Sequence, residues 1–66
     1  MTQTDIIHAR LLKNRGNWVP MTELALEAGC YAVNSRVADI RRMFGAIVEN
    51  STKKVNGKRH SYYRIP

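Results

Sequence analysis

The sequence predicts an α+β fold in which three short helices precede a C-terminal β-hairpin. Apolar residues recur at helical spacing in three segments up to residue 44, and a glycine follows each of them. Beyond that point, an Asn-Gly pair at 56–57 separates two stretches that favour extended structure. A chain of 66 residues can bury one small core, so we expect a single domain over 1–66.

The first helix is predicted over residues 4–14. Thr2 or Thr4 is the candidate N-cap, and Asp5 falls in the first turn, where a carboxylate interacts favourably with the helix dipole. One face is apolar and carries Ile7, His8, Leu11 and Leu12. We therefore expect this face to pack on the core, with His8 as a packed histidine and not a metal ligand.

The second helix is predicted over residues 21–28 and is barely two turns long. Pro20 suits its start because the missing N–H costs nothing there, and Gly29 suits its end. In the preceding loop, Trp18 is expected to fill part of the core, since a large aromatic side chain in a small domain is usually buried.

The third helix is predicted over residues 32–44, after a short turn that contains Gly29 and Cys30. Cys30 is expected to be a small apolar turn residue. Two short helices joined by a glycine-containing turn outline a helix-turn-helix. The apolar stripe expected to face the first two helices consists of Val33, Val37, Ile40 and Phe44.

The hairpin is predicted over residues 46–65, with a type I′ turn at Asn56-Gly57. A two-residue turn sets the register. The opposing residues are then Val55 and Lys58, Lys54 and Arg59, Lys53 and His60, Asn50 and Tyr63, and Val48 and Ile65. One of Tyr62 and Tyr63 should be buried and the other exposed, since strand side chains alternate. Three helices followed by this basic hairpin make a winged helix-turn-helix.

The charge balance favours a polyanionic partner. Eleven Lys and Arg against five Asp and Glu give a net charge of +6. A basic surface of this kind attracts nucleic acid or an anionic membrane surface, although it can also serve solubility alone. The clustering of the basic residues favours nucleic acid.

Several classes of function are not supported by the sequence. A single cysteine excludes an internal disulfide, and no His, Cys or carboxylate group has metal-ligand spacing, so we expect no metal or cofactor. No nucleophile-base pair or carboxylate pair supports an enzyme. The N-terminus lacks a signal-peptide pattern, and no run of eighteen apolar residues occurs, so we expect a soluble cytoplasmic protein with no membrane partner.

The third helix carries the first group of candidate DNA-binding residues. These are Tyr31, Asn34, Ser35, Arg36, Ala38, Arg41 and Arg42. Small and amide side chains come first and suit close approach to base edges, where Asn34 can pair bidentately with adenine. The arginines come later and suit phosphates. The alternative is that the arginines only solvate an exposed face, with Asp39 neutralising one of them.

The hairpin carries the second group. Its candidates are Lys53, Lys54, Lys58, Arg59 and His60. Together with the arginines of the third helix, seven of the eleven basic residues could then lie on one side of the fold.

The chain resembles the small phage and prophage winged helix-turn-helix DNA-binding domains. The resemblance lies in "AGCYAVNSRVADIRRMFG", where Arg36-Val37 and Asp39-Ile40-Arg41 fill the recognition helix, and in "VNGKRHSYYRI". It covers about residues 6–65. It implies binding of double-stranded DNA in a bacterial host cell, with the third helix in the major groove and the hairpin, as a wing, on the backbone or minor groove. Such domains serve in transcription regulation, excision or replication control.

The sequence also leaves open one alternative to DNA binding. Winged helices also dock on proteins, so the chain could be a protein-interaction module that binds or inhibits an acidic host protein. A monomer of this size offers few base contacts. We therefore expect a homodimer or side-by-side copies on DNA.

Overall fold

The computed structural model describes residues 2–66 and contains three helices and three strands. The elements in chain order are α1 Gln3–Lys13, β1 Val19–Pro20, α2 Met21–Ala28, α3 Val33–Phe44, β2 Glu49–Val55 and β3 Lys58–Arg64. The predicted α+β class is confirmed, and the arrangement is consistent with a winged helix. We call residues 49–64 the wing hairpin.

Helix α1 begins at a capping box formed by Thr2 and Asp5. The Asp5 backbone N–H donates to Thr2 Oγ1 at 3.1 Å, and the Thr2 backbone N–H donates to Asp5 Oδ2 at 3.2 Å. The pKa of Asp5 is lowered by the hydrogen bonds that its carboxylate accepts from Thr2. Thr2 is therefore the N-cap, whereas Thr4 is buried in the first turn.

The helix-turn-helix outline is present, with α2 and α3 close to their predicted bounds. Gly29 ends α2 in the left-handed conformation, with φ +63°, where a side chain would be strained. Cys30 follows, buried, and its N–H donates to the carbonyl of Ala25. The turn thus brings the chain back against the core before α3 starts.

The sheet is antiparallel, with strand order β1-β3-β2, so that the last strand is the central one. The register of β2 against β3 is the predicted one from Val55↔Lys58 to Asn50↔Tyr63. At the turn, Asn56 and Gly57 both have positive φ, 52° and 78°, as a type I′ turn requires. The β2–β3 hairpin is therefore held in a single register.

Strand β1 was not predicted. Its two residues pair with β3, Val19 opposite Tyr63 and Pro20 opposite Tyr62. Pro20 is also the N-cap of α2, so the end of β1 passes directly into the helix. The hairpin is consequently anchored to the helical part of the chain through its second strand.

The core lies between the helices and one face of the sheet. Its buried side chains are Ile7, Leu11, Val19, Leu24, Ala28, Cys30, Val33, Val37, Ile40, Val48, Tyr63 and Ile65. The cluster contains Ile7 and Leu11 of the predicted apolar face of α1, and Val33, Val37 and Ile40 of the predicted stripe of α3. Tyr63 is the buried tyrosine of the pair, and Tyr62 is half-buried.

Three predicted core positions are wrong. Phe44 is 45% exposed because it is the last residue of α3, and its ring stacks on His8 with a centroid distance of 4.2 Å. Leu12 is 46% exposed, beside the buried Leu11. Trp18 is exposed as well, and its ring is covered by Arg64, whose guanidinium carbon lies 4.4 Å from the ring centroid.

No helix within residues 2–66 is both long enough and apolar enough to span a membrane.

Candidate nucleic-acid interface

One face of α3 is exposed and carries five of the twelve predicted site residues. Its exposed side chains follow the order i, i+1, i+4, i+7 and i+8, which places them on a single helical face. They are Asn34, Ser35, Ala38, Arg41 and Arg42. Tyr31 precedes them in the turn and is fully exposed. We call these six residues the α3 face.

The orientation of the α3 face is fixed by the opposite side of the helix. Val33, Val37 and Ile40 are each at most 1% exposed and pack against the core. Rotation of the helix would bring apolar side chains into water, at a cost of about 1.5–3 kcal/mol for each one fully exposed. The small side chains of the α3 face are therefore presented to solvent in a defined orientation.

The three arginines of α3 have different surroundings. Arg42 is 77% exposed, and its Nη2 lies 2.7 Å from Asp39 Oδ1. Arg36 lies on the flank, half-buried, with Nη2 3.3 Å from Asp39 Oδ2. Arg41 donates from Nη2 to the carbonyl oxygen of Val48, which connects α3 to the residue before β2. Thus Arg41 and Arg42 belong to the α3 face and Arg36 does not.

The end of the wing hairpin forms a second basic surface. Lys54 and Arg59 lie directly opposite each other, and so do Lys53 and His60. All four side chains, together with Lys58, are exposed. We call residues 53–60 the wing tip.

The two faces of the wing tip divide the predicted residues between them. Strand alternation places Lys54 and Arg59 on the face that carries the buried Tyr63. Lys53, Lys58 and His60 share the other face with Tyr62, whose ring centroid is 5.8 Å from Lys53 Nζ. Each face therefore carries two of the four Lys and Arg side chains of the wing tip.

All five carboxylates lie outside the wing tip, and each has a hydrogen-bond or ion-pair partner. Asp5 bonds with Thr2, Glu23 and Glu27 both bond with Arg10, Asp39 pairs with the two arginines described above, and Glu49 bonds with Arg64. The wing tip contains four Lys and Arg and no acidic residue. It thus carries a charge of +4 out of the net +6 of the chain.

A polar row across the base of the sheet was missed by sequence reasoning. Arg64 covers the Trp18 ring and donates from Nε to Glu49 Oε1, so that it connects its neighbours on both sides. The predicted register already places Glu49 opposite Arg64, and this cross-strand pair of opposite charges could have indicated the ion pair. Nothing in the local sequence indicates that Trp18 joins this row.

Within residues 2–66, no group of three or more His, Cys, Asp or Glu side chains could hold a metal ion. The grooves on the described surface are shallow and open, and one of about 330 Å³ lies between Leu12, Ile47 and Ile65. Comparison with protein-family models, with curated proteins and with solved structures finds no match to this chain.

Proposed function

We propose that the chain binds double-stranded DNA through the α3 face and the wing tip. The observation that carries the proposal is the uncompensated charge of the wing tip, +4 within eight residues. An exposed cluster of this density attracts a polyanion, and the phosphate backbone of duplex DNA presents one negative charge per roughly 1.7 Å of helix axis.

The α3 face supplies base contacts in this proposal. An α-helix fits the major groove, and the small side chains Ser35 and Ala38 permit its close approach. Asn34 pairs with an adenine through its amide, and Arg42 contacts a phosphate, whereas Arg41 stays with the carbonyl oxygen of Val48. The exposed Tyr31 lies at the start of the helix, beside the same groove.

The biological role follows from the resemblance to phage and prophage domains. We propose a transcription regulator or a recombination accessory factor that acts in the cytoplasm of a bacterial host cell. A single α3 face offers few base contacts, so two copies, as a homodimer or side by side, would bind one target region.

The salt dependence of binding tests the proposal. Arg42 and the four Lys and Arg of the wing tip give about five phosphate contacts, and thus a slope near −4.5 for log K against log salt concentration. Affinity for a 20-base-pair duplex should fall about 500-fold between 50 and 200 mM salt, measured by fluorescence anisotropy. An affinity that barely changes over this range would contradict the proposal.

A second candidate function is a protein-interaction module. Three large apolar side chains are strongly exposed, Leu26 at 84%, Met43 at 64% and Ile47 at 72%, and DNA binding gives them no partner. In this case the basic surface would bind an acidic protein of the host. Unlabelled duplex DNA should displace such a protein if both use the wing tip, and it should have no effect if the apolar residues form the contact.

A further inference from the structure

Asp39 is the one acidic residue in the sequence of α3, and it is positioned between two of the helix's arginines. Its Oδ1 lies 2.7 Å from Arg42 Nη2 and its Oδ2 lies 3.3 Å from Arg36 Nη2. Its side chain is 19% exposed. At i+4 from Ser35 and i+1 from Ala38, it lies at the edge of the α3 face.

The two arginines are held to different degrees. Arg42 is free to leave the ion pair because its side chain is 77% exposed, and exposed pairs contribute little to stability. Arg36 is less exposed, at 37%, and its Nη2 faces Asp39. Its Nε is buried and has no hydrogen-bond partner among residues 2–66, so this guanidinium lies against the protein and not in solvent.

A carboxylate at this position has a consequence for DNA binding. It repels phosphates, and it competes with them for Arg42. When Arg42 moves to a phosphate, Asp39 Oδ1 loses its partner and needs another donor, while Oδ2 keeps Arg36. In the major groove the donors are the exocyclic amino groups of cytosine and adenine, and carboxylates accept from cytosine N4.

We propose that Asp39 is a specificity-determining residue that selects duplex sites with a cytosine at one fixed position. The inference rests on the proposed binding of α3 in the major groove. A site with cytosine there satisfies the carboxylate. Guanine and thymine present acceptors that oppose it, so those sites bind less tightly. Asp39 thus lowers affinity for duplex DNA in general and raises the ratio between target and random DNA.

The test is a parallel selection of binding sites from a random duplex pool, with the parent chain, Asp39→Asn and Glu49→Gln. Glu49→Gln is the matched control because it also removes one carboxylate from an arginine pair, that with Arg64 at the base of the wing hairpin. Both variants have a net charge of +7, one above the parent. Any difference in base selection or affinity between the two variants therefore results from the position of the lost carboxylate and not from net charge.

The parent should enrich cytosine at one position of the site. Asp39→Asn should lose that preference and keep the others. It should bind random duplex about 8-fold more tightly at 0.1 M salt, because one repulsive charge is removed. The ratio of its affinities for target and random duplex should fall about tenfold or more. Glu49→Gln should select the same bases as the parent. Circular dichroism checks folding, and Asp39→Ser is a second variant with the same expected result.

The outcomes separate the two proposals. A parent that binds no duplex overturns the proposed function itself. A parent that binds duplex without base preference, or an Asp39→Asn variant with unchanged preferences, overturns the inference and leaves DNA binding in place. Unfolding of both Asp39 variants would assign the residue a structural role and would also overturn the inference.

Discussion

Basic side chains have opposite surroundings in two regions: the side of the molecule where α1 packs against α2, called the α1–α2 side, and the wing tip. On the first, Arg10 donates from Nη1 to Glu27 at 2.7 Å and from Nη2 to Glu23 at 3.1 Å. These hydrogen bonds raise the pKa of Arg10, and the bond with Glu27 has the larger effect. In the wing tip, the residue opposite Lys54 is another cation, Arg59, and no carboxylate is nearby in the sequence.

The difference separates charges that form ion pairs within the fold from charges that have no carboxylate partner in the wing tip. Like charges directly opposite each other destabilise a hairpin, whereas the Arg10 pairs join two helices. The facing cations of the wing tip lower the stability of the isolated hairpin, and a bound polyanion would relieve their repulsion. This arrangement therefore supports the DNA-binding proposal. Substitutions in each region separate their contributions to binding and stability.

The largest effect is expected from Lys54→Gln with Arg59→Gln in one chain. Removing the two proposed phosphate contacts should reduce the salt slope by about 1.8 and weaken duplex binding roughly sixty-fold at 0.1 M salt. Fluorescence anisotropy across a salt series measures both quantities.

The matched control for this variant is Arg10→Gln with Lys13→Gln, on the α1–α2 side. It removes the same charge, yet it should leave the salt slope unchanged, because Arg10 and Lys13 lie outside the proposed interface. Equal losses in the two double variants would mean that net charge alone governs binding.

A smaller effect is expected from Gly57→Val. Gly57 has φ +78° and no atom within 4 Å of an added Cβ, so the cost is backbone strain and not a clash. A β-branched residue at positive φ should distort the turn and misplace the cations on both strands, weakening duplex binding by about tenfold.

Helical circular dichroism should survive in Gly57→Val, since the core lies away from the turn. Gly57→Asn is the control, because asparagine tolerates the left-handed region, and it should bind like the parent. Unchanged binding by Gly57→Val would argue against contact between the wing tip and DNA.

The smallest effect concerns stability alone. Asp5→Asn removes the charged half of the capping box and should lower the thermal midpoint at pH 7 by a few degrees, with duplex affinity unchanged. The pKa of Asp5 is depressed in the folded chain, so its stabilisation is present above the ordinary value of 3.8 and disappears as the pH falls below it. Thermal melts of parent and variant should therefore converge at low pH, and a constant difference would contradict this account.

Local signals in the sequence were sufficient for most of the fold. Gly29 and Gly45 end their helices in the left-handed conformation, and Asn56-Gly57 fixes the hairpin register, because each signal acts through the residue's own backbone. Strand β1 was missed because its two residues have no periodicity and form a strand only against β3.

Side-chain environments were harder to predict. Phe44 follows the apolar period of α3 but lies at the helix end, where the core no longer covers it. The ring of Trp18 contacts Arg64, which lies 46 positions later in the chain. No local sequence pattern can indicate a contact of this separation. For the candidate site, exposure of the α3 face followed from the helical period, whereas the sharing of Asp39 between two arginines required the structure.

The central place of β3 also bears on the order of folding. Val19 in β1 must find Tyr63, a partner 44 residues later in the chain, before the sheet is complete. The helices meet through contacts much closer in sequence, and contacts of long sequence separation form slowly because loop closure costs entropy. During synthesis, the helical segments leave the ribosome before β3 and the residue after it, which supply Tyr63 and Ile65 to the core. The sheet should therefore close last, in a step whose rate is set by how quickly β3 reaches β1.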